Sequence, residues 1–283
     1  MKEKHLRRLT AAAVLLLGLA AFCWWQNNGL MVTGYEYDLP AEYAQLDGVR
    51  IAQISDLHSK DFEGRLERLL EECAPDIVVL TGDLVDRRDQ EFSTALGLAR
   101  AAAATAPTFY APGNHEASLS RSGKYAQLRA GLKQAGVHVL ENQAERVEIG
   151  SETINLIGLL DPGFYDAGLE TAQILLTQEL SQLVREEQLN ILLAHRPSLI
   201  KSYAQGGADL VFSGHAHGGQ VRLPFVGGLV APDEGWLPRY TSGVYQEQDT
   251  VEIVSRGLGN SIIPQRLFNR PELVVVTLRA KAP

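Results

Sequence analysis

The sequence contains only two cysteines and two methionines in 283 residues. Cys23 lies within an apolar run and Cys73 within a helix-like stretch, so no disulfide framework holds the fold. The same scarcity excludes a thiolate-rich metal site. With 45% apolar and 21% charged residues the composition is that of a globular protein, which excludes disordered and collagen-like chains.

Basic residues are fewer than acidic residues in this chain. The chain has 26 basic and 34 acidic residues, and its formal net charge is −8 at pH 7. Residues 29–283 alone hold 22 basic and 33 acidic residues, a net charge of −11. So acidic a body repels polyanions, and we expect no binding of nucleic acid.

One long uncharged run lies near the N-terminus, covering the 17 residues from Leu9 to Trp25. As a helix at about 1.5 Å per residue it would measure about 26 Å, which is enough to cross a bilayer with anchors at the interface. Trp24 and Trp25 suit the headgroup layer at its far end. The near end carries the basic residues Lys2, Lys4, Arg7 and Arg8.

This charge distribution predicts a single-pass protein of the cell membrane, with residues 1–28 as the anchor, a cytoplasmic N-terminus and an extracytoplasmic body. Cleavage as a signal peptide is the alternative, since Ala20 and Ala21 are small, and it would release the protein as a secreted form. The bulky Phe22 favours retention. Residues 29–48 are interpreted as a linker leading into one domain over residues 49–283.

The body alternates β-branched runs with amphipathic stretches, which indicates the α/β class. The predicted strands are Arg50–Ile54, Asp76–Leu80, Thr108–Tyr110, Thr153–Leu159, Asn190–Ala194, Asp209–Phe212, Thr250–Val254 and Leu273–Leu278. The predicted helices are Gly64–Cys73, Glu91–Ala104, Lys124–Ala135, Leu169–Glu187 and Ser198–Ala204.

Polar side chains cluster just after five of these strands, where ligands of open α/β sheets converge. Five of the seven histidines lie at these strand ends. In the Asp-x-His and His-x-His pairs, a spacing of two in an extended segment predicts side chains on one side. Imidazole nitrogens with carboxylate oxygens suit Mn²⁺, Fe or Zn²⁺ rather than Ca²⁺. The blocks are Asp56-Leu57-His58, Gly82-Asp83-Leu84-Val85-Asp86, Gly113-Asn114-His115-Glu116, His195 and Gly214-His215-Ala216-His217.

This ordered set of blocks resembles the calcineurin-like metallophosphoesterases from about Val49 to His217. The segments Gly218–Pro224 and Arg256–Ser261 are similar to the bacterial branch with an N-terminal membrane or export segment. The resemblance implies a four-layer α/β/β/α sandwich preceded by one transmembrane helix, with a dimetal centre at one edge of its two sheets.

The resemblance also implies the ligands of two divalent ions, which we expect to be Mn²⁺, with Zn²⁺ or Fe as alternatives. Asp83 would bridge the two ions. The first ion would be held by Asp56, His58, Asp83 and His217, and the second by Asp83, Asn114, His195 and His215.

Such a centre suits phosphoester hydrolysis, because two cations neutralise the phosphoryl oxygens and lower the pKa of a bridging water from about 15.7 toward 7. The resulting hydroxide would attack phosphorus directly. His115 is placed to protonate the leaving group as a general acid. By analogy with the family, Asp86 would orient His115. Arg87, with Arg88 as a further candidate, could bind a phosphate oxygen through two hydrogen bonds.

We therefore predict a metal-dependent phosphohydrolase acting on a phosphodiester or pyrophosphate of a lipid-linked or nucleotide-linked substrate. The alternative is a catalytically silent binding or scaffold module of the same fold at the membrane, against which the presence of His115 argues. The sequence leaves the oligomeric state open. The aromatic segment 224–245 is either a lid or bilayer-facing surface, or a set of rings packed under an irregular loop.

Overall fold

The computed structural model describes residues 2–261 and 263–280. Its α-helices are α1 (Lys2–Asn28), α2 (Arg65–Cys73), α3 (Ser93–Thr105), α4 (Asn114–Ser120), α5 (Lys124–Gln134), α6 (Leu169–Leu183) and α7 (Ile200–Gln205). Short 3₁₀ helices cover Ala41–Leu46, Pro162–Phe164, Pro197–Leu199 and His217–Gly219.

The chain up to residue 158 supplies strands β1 (Met31–Leu39), β2 (Arg50–Ile54), β3 (Ile77–Leu80), β4 (Thr108–Tyr110), β5 (His138–Val139), β6 (Gln143–Ile149) and β7 (Glu152–Gly158). The second half supplies β8 (Asn190–Leu193), β9 (Leu210–Ser213), β10 (Arg222–Leu223), β11 (Gly227–Gly228), β12 (Val230–Ala231), β13 (Gly235–Trp236), β14 (Gly243–Glu247), β15 (Thr250–Val254) and β16 (Glu272–Ala280).

Two six-stranded sheets form the centre of the molecule. The first has the order β1-β16-β2-β3-β4-β5 and the second β14-β15-β9-β8-β7-β6. Strands β2 to β5 run parallel in the first sheet, as do β7, β8, β9 and β15 in the second. The carboxyl ends of β2, β3 and β4 therefore share one edge, and those of β8 and β9 share another.

The buried strands place alternate side chains in two different apolar layers, as a period of two requires. In β3, Val78 packs with helices α2, α3 and α5, whereas Val79 faces the second sheet. In β8, Leu192 packs with α6 and α7, whereas Leu193 faces the first sheet. The predicted α/β/β/α sandwich is thus confirmed.

The segment predicted as a linker contains a strand. Strand β1 pairs in parallel with β16 from Met31 opposite Glu272 to Leu39 opposite Ala280. Tyr37 and Leu39 are buried between the sheets, so this edge strand contributes to the central apolar layer.

Helix α1 precedes this body. Over Glu3–Asn28 it is long and apolar enough to be a membrane span or a signal sequence, and its apolar window is 0% buried. The last two turns of α1 contact the body, and Gln26 is buried there.

Candidate metal centre

Loops after β2 and β3 are joined by backbone hydrogen bonds that bring their polar residues together. The N–H of Asp56 donates to the carbonyl of Gly82 at 3.0 Å, and the N–H of His58 donates to that of Asp83 at 3.0 Å. In the second sheet, the N–H of Gly214 donates to the carbonyl of His195 at 3.1 Å. The seven predicted ligands consequently meet at the facing edges of the two sheets.

Five of them have left-handed backbones. The φ angles of Asp56, His58, Asp83, His215 and His217 lie between 46° and 63°. The expectation that each spaced pair lies in an extended segment was therefore wrong, although the side chains do converge. Such backbone costs about 1 kcal/mol or more per residue and persists where the surroundings impose it, as at functional sites.

The first group of donor atoms comes from Asp56, His58 and His217. His217 Nε2 lies 3.1 Å from His58 Nε2 and 3.4 Å from Asp56 Oδ1. Burial lowers the pKa of His58 to about 4 and that of His217 well below its usual value, and burial raises the pKa of Asp56 to about 6. Both rings are thus neutral at pH 7 and have lone pairs for a cation.

The second group combines His195, His215, Asn114 and Asp83. His195 Nε2 lies 3.2 Å from Asp83 Oδ2 and 3.1 Å from Asn114 Oδ1. His215 Nδ1 lies 2.8 Å from Asn114 Oδ1 and 3.3 Å from His195 Nε2. On its far side His195 Nδ1 donates to the carbonyl of Thr81 at 2.8 Å, which leaves Nε2 free to bind a metal.

The carboxylates around His195 give this part of the site a negative charge, which favours binding of a cation. Burial lowers the pKa of His195, but the attraction of Asp83 and the other carboxylates outweighs burial and raises it to about 10. For Asp83, burial raises the pKa, whereas His195 and the neighbouring histidines lower it well below its usual range. A bound metal ion would supply the positive charge that the site otherwise takes up as a proton.

Asp83, a member of the second donor group, also lies beside His58 of the first. Its Oδ2 lies 3.2 Å from His195 Nε2 and 3.8 Å from His58 Nε2. Its Oδ1 is held from the other side by the N–H of His115 at 2.8 Å. The carboxylate is therefore fixed between the two groups.

The donor spacing fits metal coordination. Ligands about 2.1 Å from a metal lie about 3.0 Å apart at octahedral edges and about 3.4 Å apart at tetrahedral edges. The six donor separations given above within the two groups run from 2.8 to 3.4 Å. The residues present fit two divalent ions.

The ring of His115 is held by the backbone of Arg87, whose N–H donates to His115 Nδ1 at 3.0 Å. Because Nδ1 accepts, the ring proton is on Nε2, which lies 3.9 Å from Asp83 Oδ2. Asp86 Oδ2 is 3.7 Å from Nδ1, and its Oδ1 accepts hydrogen bonds from Arg88. His115 thus presents a proton donor to the site.

A cavity of about 150 Å³ opens above these groups. Its wall includes both strand-end residues and parts of later loops. The lining residues are Asp83, Arg87, Asn114, His115, His215, His217, Pro232, Asp233 and Ser261.

Sequence reasoning gave no role to Glu116, which is fully buried beneath the centre. Its carboxylate accepts N–H bonds from Asp83 at 2.9 Å, Leu84 at 2.9 Å and Gly113 at 2.8 Å. This residue fixes the loops after β3 and β4 to each other. Its position next to His115 in the motif was the available signal.

A chain of charged side chains beside the centre was also missed. Arg196 Nε donates to Asp161 at 2.7 Å, Arg196 Nη1 donates to Asp233 at 2.7 Å, and Asp233 lies 3.6 Å from His215 Nε2. Asp161 follows β7 much as the other site residues follow their strands, so the same rule could have found it. Asp233 lies in a hairpin loop with no such signal.

The aromatic residues of segment 224–245 do not all follow one of the two interpretations, a lid or bilayer-facing surface and rings packed under a loop. Tyr240 and Tyr245 pack on each other at 5.0 Å between ring centroids, and Tyr240 is buried. Phe225 and Trp236 are instead fully or largely exposed. Packing beneath the loop thus accounts for the two tyrosines only.

Comparison with known proteins agrees with this geometry. Residues 49–219 match the calcineurin-like phosphoesterase family. The chain is 30% identical over 251 residues to the uncharacterized metallophosphoesterase YkuE of Bacillus subtilis, covering 83% of this chain and 80% of that protein. It is 31% identical over 209 residues to phosphodiesterase YaeI of Escherichia coli, covering 73% and 72%.

A third relative is UDP-2,3-diacylglucosamine pyrophosphatase LpxG of Chlamydia trachomatis, with 28% identity over 312 aligned positions, 89% of this chain and 92% of that protein. The family match covers more than half of the chain and includes all five strand-end blocks. Strand ends, donor groups and sequence thus lead to one conclusion: the chain belongs to the calcineurin-like phosphoesterase family and is a metal-dependent phosphohydrolase.

Proposed function

We propose that the protein is a two-metal phosphoesterase that cleaves a phosphodiester or pyrophosphate in a lipid-linked or nucleotide-linked substrate. The observation that carries this proposal is the position of Asp83, whose carboxylate adjoins both groups of donor atoms. One group would hold one ion through Asp56, His58 and His217. The other would hold the second through Asn114, His195 and His215.

Bound divalent ions, with Mn²⁺ expected, would neutralise phosphoryl oxygens and lower the pKa of water. The side chains of the protein set the charge of the site and the position of its ligands. Neutral Asn114 contributes an oxygen without adding negative charge, so the site keeps its attraction for an anionic substrate. Glu116 holds the backbone on both sides of Asp83 and thereby fixes the carboxylate between the two donor groups.

His115 is proposed as the general acid. The backbone N–H of Arg87 occupies Nδ1, so the proton available for the departing oxygen is on Nε2, which faces the site. General acid catalysis contributes about 10²–10⁴-fold. Asp86, at 3.7 Å from Nδ1, would act through its negative charge on the ring as a positioning residue.

Substrate binding is assigned in part to Arg87, whose side chain is exposed at the cavity. A guanidinium there can donate two parallel hydrogen bonds to phosphoryl oxygens. Asp86 does not compete for it, because the guanidinium that pairs with Asp86 is that of Arg88, at 3.0 Å.

Two observations support the substrate class and location. Relatives are named a phosphodiesterase and a UDP-diacylglucosamine pyrophosphatase, which act on phosphoesters of these kinds. Helix α1 is long and apolar enough to cross a bilayer, and basic residues precede its apolar stretch. We propose a retained anchor, a cytoplasmic N-terminus and an extracytoplasmic catalytic body.

The test uses the full chain in detergent, stripped of metal and reloaded with Mn²⁺, Zn²⁺ or Fe. Substrates are bis(p-nitrophenyl) phosphate, a nucleotide-linked sugar pyrophosphate, a phospholipid and a phosphomonoester. We expect hydrolysis of diester or pyrophosphate, its loss in Asp83→Ala and His195→Ala, and normal rates in the control His138→Ala, whose ring lies at a sheet edge. A wild-type chain inactive on every substrate and metal would refute the proposal.

A further inference from the structure

The end of helix α1 is fastened to the body. Asn27 Oδ1 accepts the N–H of Arg266 at 2.7 Å, and Asn27 Nδ2 donates to the carbonyl of Pro264 at 3.0 Å. Gln265 Nε2 donates to the carbonyl of Cys23 at 3.0 Å. The loop of residues 263–270, together with the chain after β2, thus forms a socket for the last two turns of the helix.

This socket adjoins the metal centre. Gln26 Oε1 accepts the N–H of Asn269 at 3.3 Å, and Asn269 Nδ2 donates to the carbonyl of His217 at 2.7 Å. The side chain and backbone of Asn269 therefore link Gln26, near the end of helix α1, to the proposed ligand His217 through two hydrogen bonds. Ser261, which precedes this loop in the sequence, lines the catalytic cavity. The cavity accordingly lies close to the point where the helix would leave the membrane.

Exposed apolar side chains of the body lie in the loop that contacts the helix and in a hairpin attached to that loop. The ring of Phe22 in α1 contacts that of Phe268 at 5.8 Å between centroids. Next to Phe268, the carbonyl of Leu267 accepts the N–H of Arg222 at 3.0 Å, which attaches the hairpin of β10 and β11 to the socket. We call the exposed side chains of this hairpin and loop the apolar apron: Leu223, Phe225, Val226 and Phe268.

The apron is unusually exposed for apolar side chains. Phe225 is fully exposed, and Val226 and Phe268 have exposed fractions of 57% and 56%. Several exposed apolar side chains on one hairpin and the loop attached to it are typical of an interaction site. Leu223 lies in the two-residue ladder of β10 and β11, and Phe225 and Val226 lie in the turn between these strands. The hairpin is anchored by the N–H of Leu229, which donates to the carbonyls of Gly219 and Val221. The surface is therefore built on a fixed hairpin.

Cationic side chains surround the same helix base, although the body is strongly acidic overall. The guanidinium of Arg270 lies over the ring of Trp25, 4.6 Å from its centroid. Lys60 Nζ donates to the carbonyl of Asn27, and Arg65 Nη1 donates to that of Asn28 at 3.2 Å. A tryptophan, an exposed apolar edge and a group of cations at one level are the composition of a membrane-interface belt.

We propose that the apolar apron inserts into the interface of a lipid bilayer containing anionic lipid, beside helix α1, and holds the catalytic cavity at the headgroup layer. The inference rests on the retained anchor stated under the proposed function. Its occupant is lipid because Phe268 of the apron contacts Phe22 of the apolar helix, and because cationic side chains lie at the base of the same helix. An amphiphilic phosphoester could then reach the cavity along the membrane surface.

The test measures depth in the bilayer rather than turnover. The full chain, with Cys23→Ser and Cys73→Ala, receives one nitrobenzoxadiazole label at Val226→Cys or Phe225→Cys. The matched control is Ile174→Cys on helix α6, where the native side chain has an exposed fraction of 54%, close to that of Val226. Proteins are placed at low density in vesicles of three parts phosphatidylcholine to one part phosphatidylglycerol, with and without doxyl-labelled lipid.

We expect the labels at 225 and 226 to emit at shorter wavelength than the control and to be quenched by doxyl lipid at least about twofold more strongly, as for groups at the acyl boundary. Equal emission and quenching at 174 and 226 would overturn the inference. So would a blue-shifted label that doxyl lipid does not quench, because protein would then cover the apron. A chain that inserts but hydrolyses nothing would refute the proposed function and support the apron.

Discussion

Nε2 of His58 lies 3.1 Å from Nε2 of His217 in the described structure, and both rings are buried. Burial lowers the pKa of each ring, so both rings are neutral at neutral pH and neither is an imidazolium. Two neutral rings facing each other beside the carboxylate of Asp56 form one wall of a cation site.

Removal of metal should therefore destabilise the protein. A ligand at 100 times its Kd stabilises the folded state by about 2.7 kcal/mol, which corresponds to roughly 5–10 °C for a domain of this size. We expect EDTA to lower Tm by this amount and excess Mn²⁺ to restore it, as measured by scanning calorimetry. In His217→Ala the difference in Tm between EDTA and excess Mn²⁺ should be mostly lost, whereas in His138→Ala it should equal that of the wild type. An equal Tm with and without metal would contradict the prediction.

Loss of His115 should depend on the leaving group. p-Nitrophenolate departs without a proton, whereas an alkoxide needs one, so a general acid matters only for the second. We expect His115→Ala to reduce kcat by about 10²–10⁴-fold on an alkyl phosphodiester and much less on bis(p-nitrophenyl) phosphate. Metal content measured in parallel should stay at the wild-type level. Equal losses on both substrates would indicate a metal ligand instead.

Glu116→Gln should weaken both the fold and the centre. The carboxylate accepts three backbone N–H bonds through its two oxygens, and an amide offers only one acceptor oxygen. We expect a loss of about 1.5–3 kcal/mol in urea unfolding and a fall of about 10–100-fold in Mn²⁺ affinity. The control Glu145→Gln changes an exposed carboxylate that pairs with His138 and should leave both values unchanged.

Glu252 should make stability pH-dependent. This residue is fully buried in β15, and burial raises its pKa well above the usual value, which the neighbouring Ser213 offsets only in part. Because the folded pKa exceeds the unfolded one, the stability contributed by the neutral carboxyl is complete below about pH 4 and is lost as pH rises.

Glu252→Gln removes this ionisation. We expect the variant to have a higher Tm than wild type at pH 8, by about 2–4 °C for each kcal/mol recovered, and no advantage at pH 4. Thermal unfolding followed by circular dichroism at both pH values is the measurement. An equal difference at the two pH values would argue against ionisation of Glu252 as the cause.

The buried parallel strands were predictable because strands covered on both faces are continuous apolar runs. The run Ile77–Leu80 is the clearest case, and its predicted strand had one extra residue at the start. Arg50–Ile54 and Thr250–Val254 match to the residue although each contains buried polar side chains. Edge strands were missed, since β1, β6 and β14 alternate exposed polar residues with half-buried ones and give weaker patterns. Helix α4 was missed because its first three residues, Asn114 to Glu116, belong to a motif that was interpreted as a turn.

At the site, residue types and strand order predicted which side chains would meet, because the topology of parallel sheets brings strand ends together. Local conformation was not predictable. The left-handed backbone at Asp56 and His217 depends on contacts between loops that are distant in the sequence. The role of Asn269, which joins His217 to helix α1, likewise arises only from packing.

The number and place of bound metal ions test the central claim most directly. Crystals of the full chain grown with Mn²⁺ and measured at the manganese absorption edge would reveal the ions by anomalous scattering. We predict two peaks, one within bonding distance of Asp56, His58 and His217, the other of Asn114, His195 and His215, with Asp83 bonded to both. A single peak, or two peaks away from these side chains, would contradict the account.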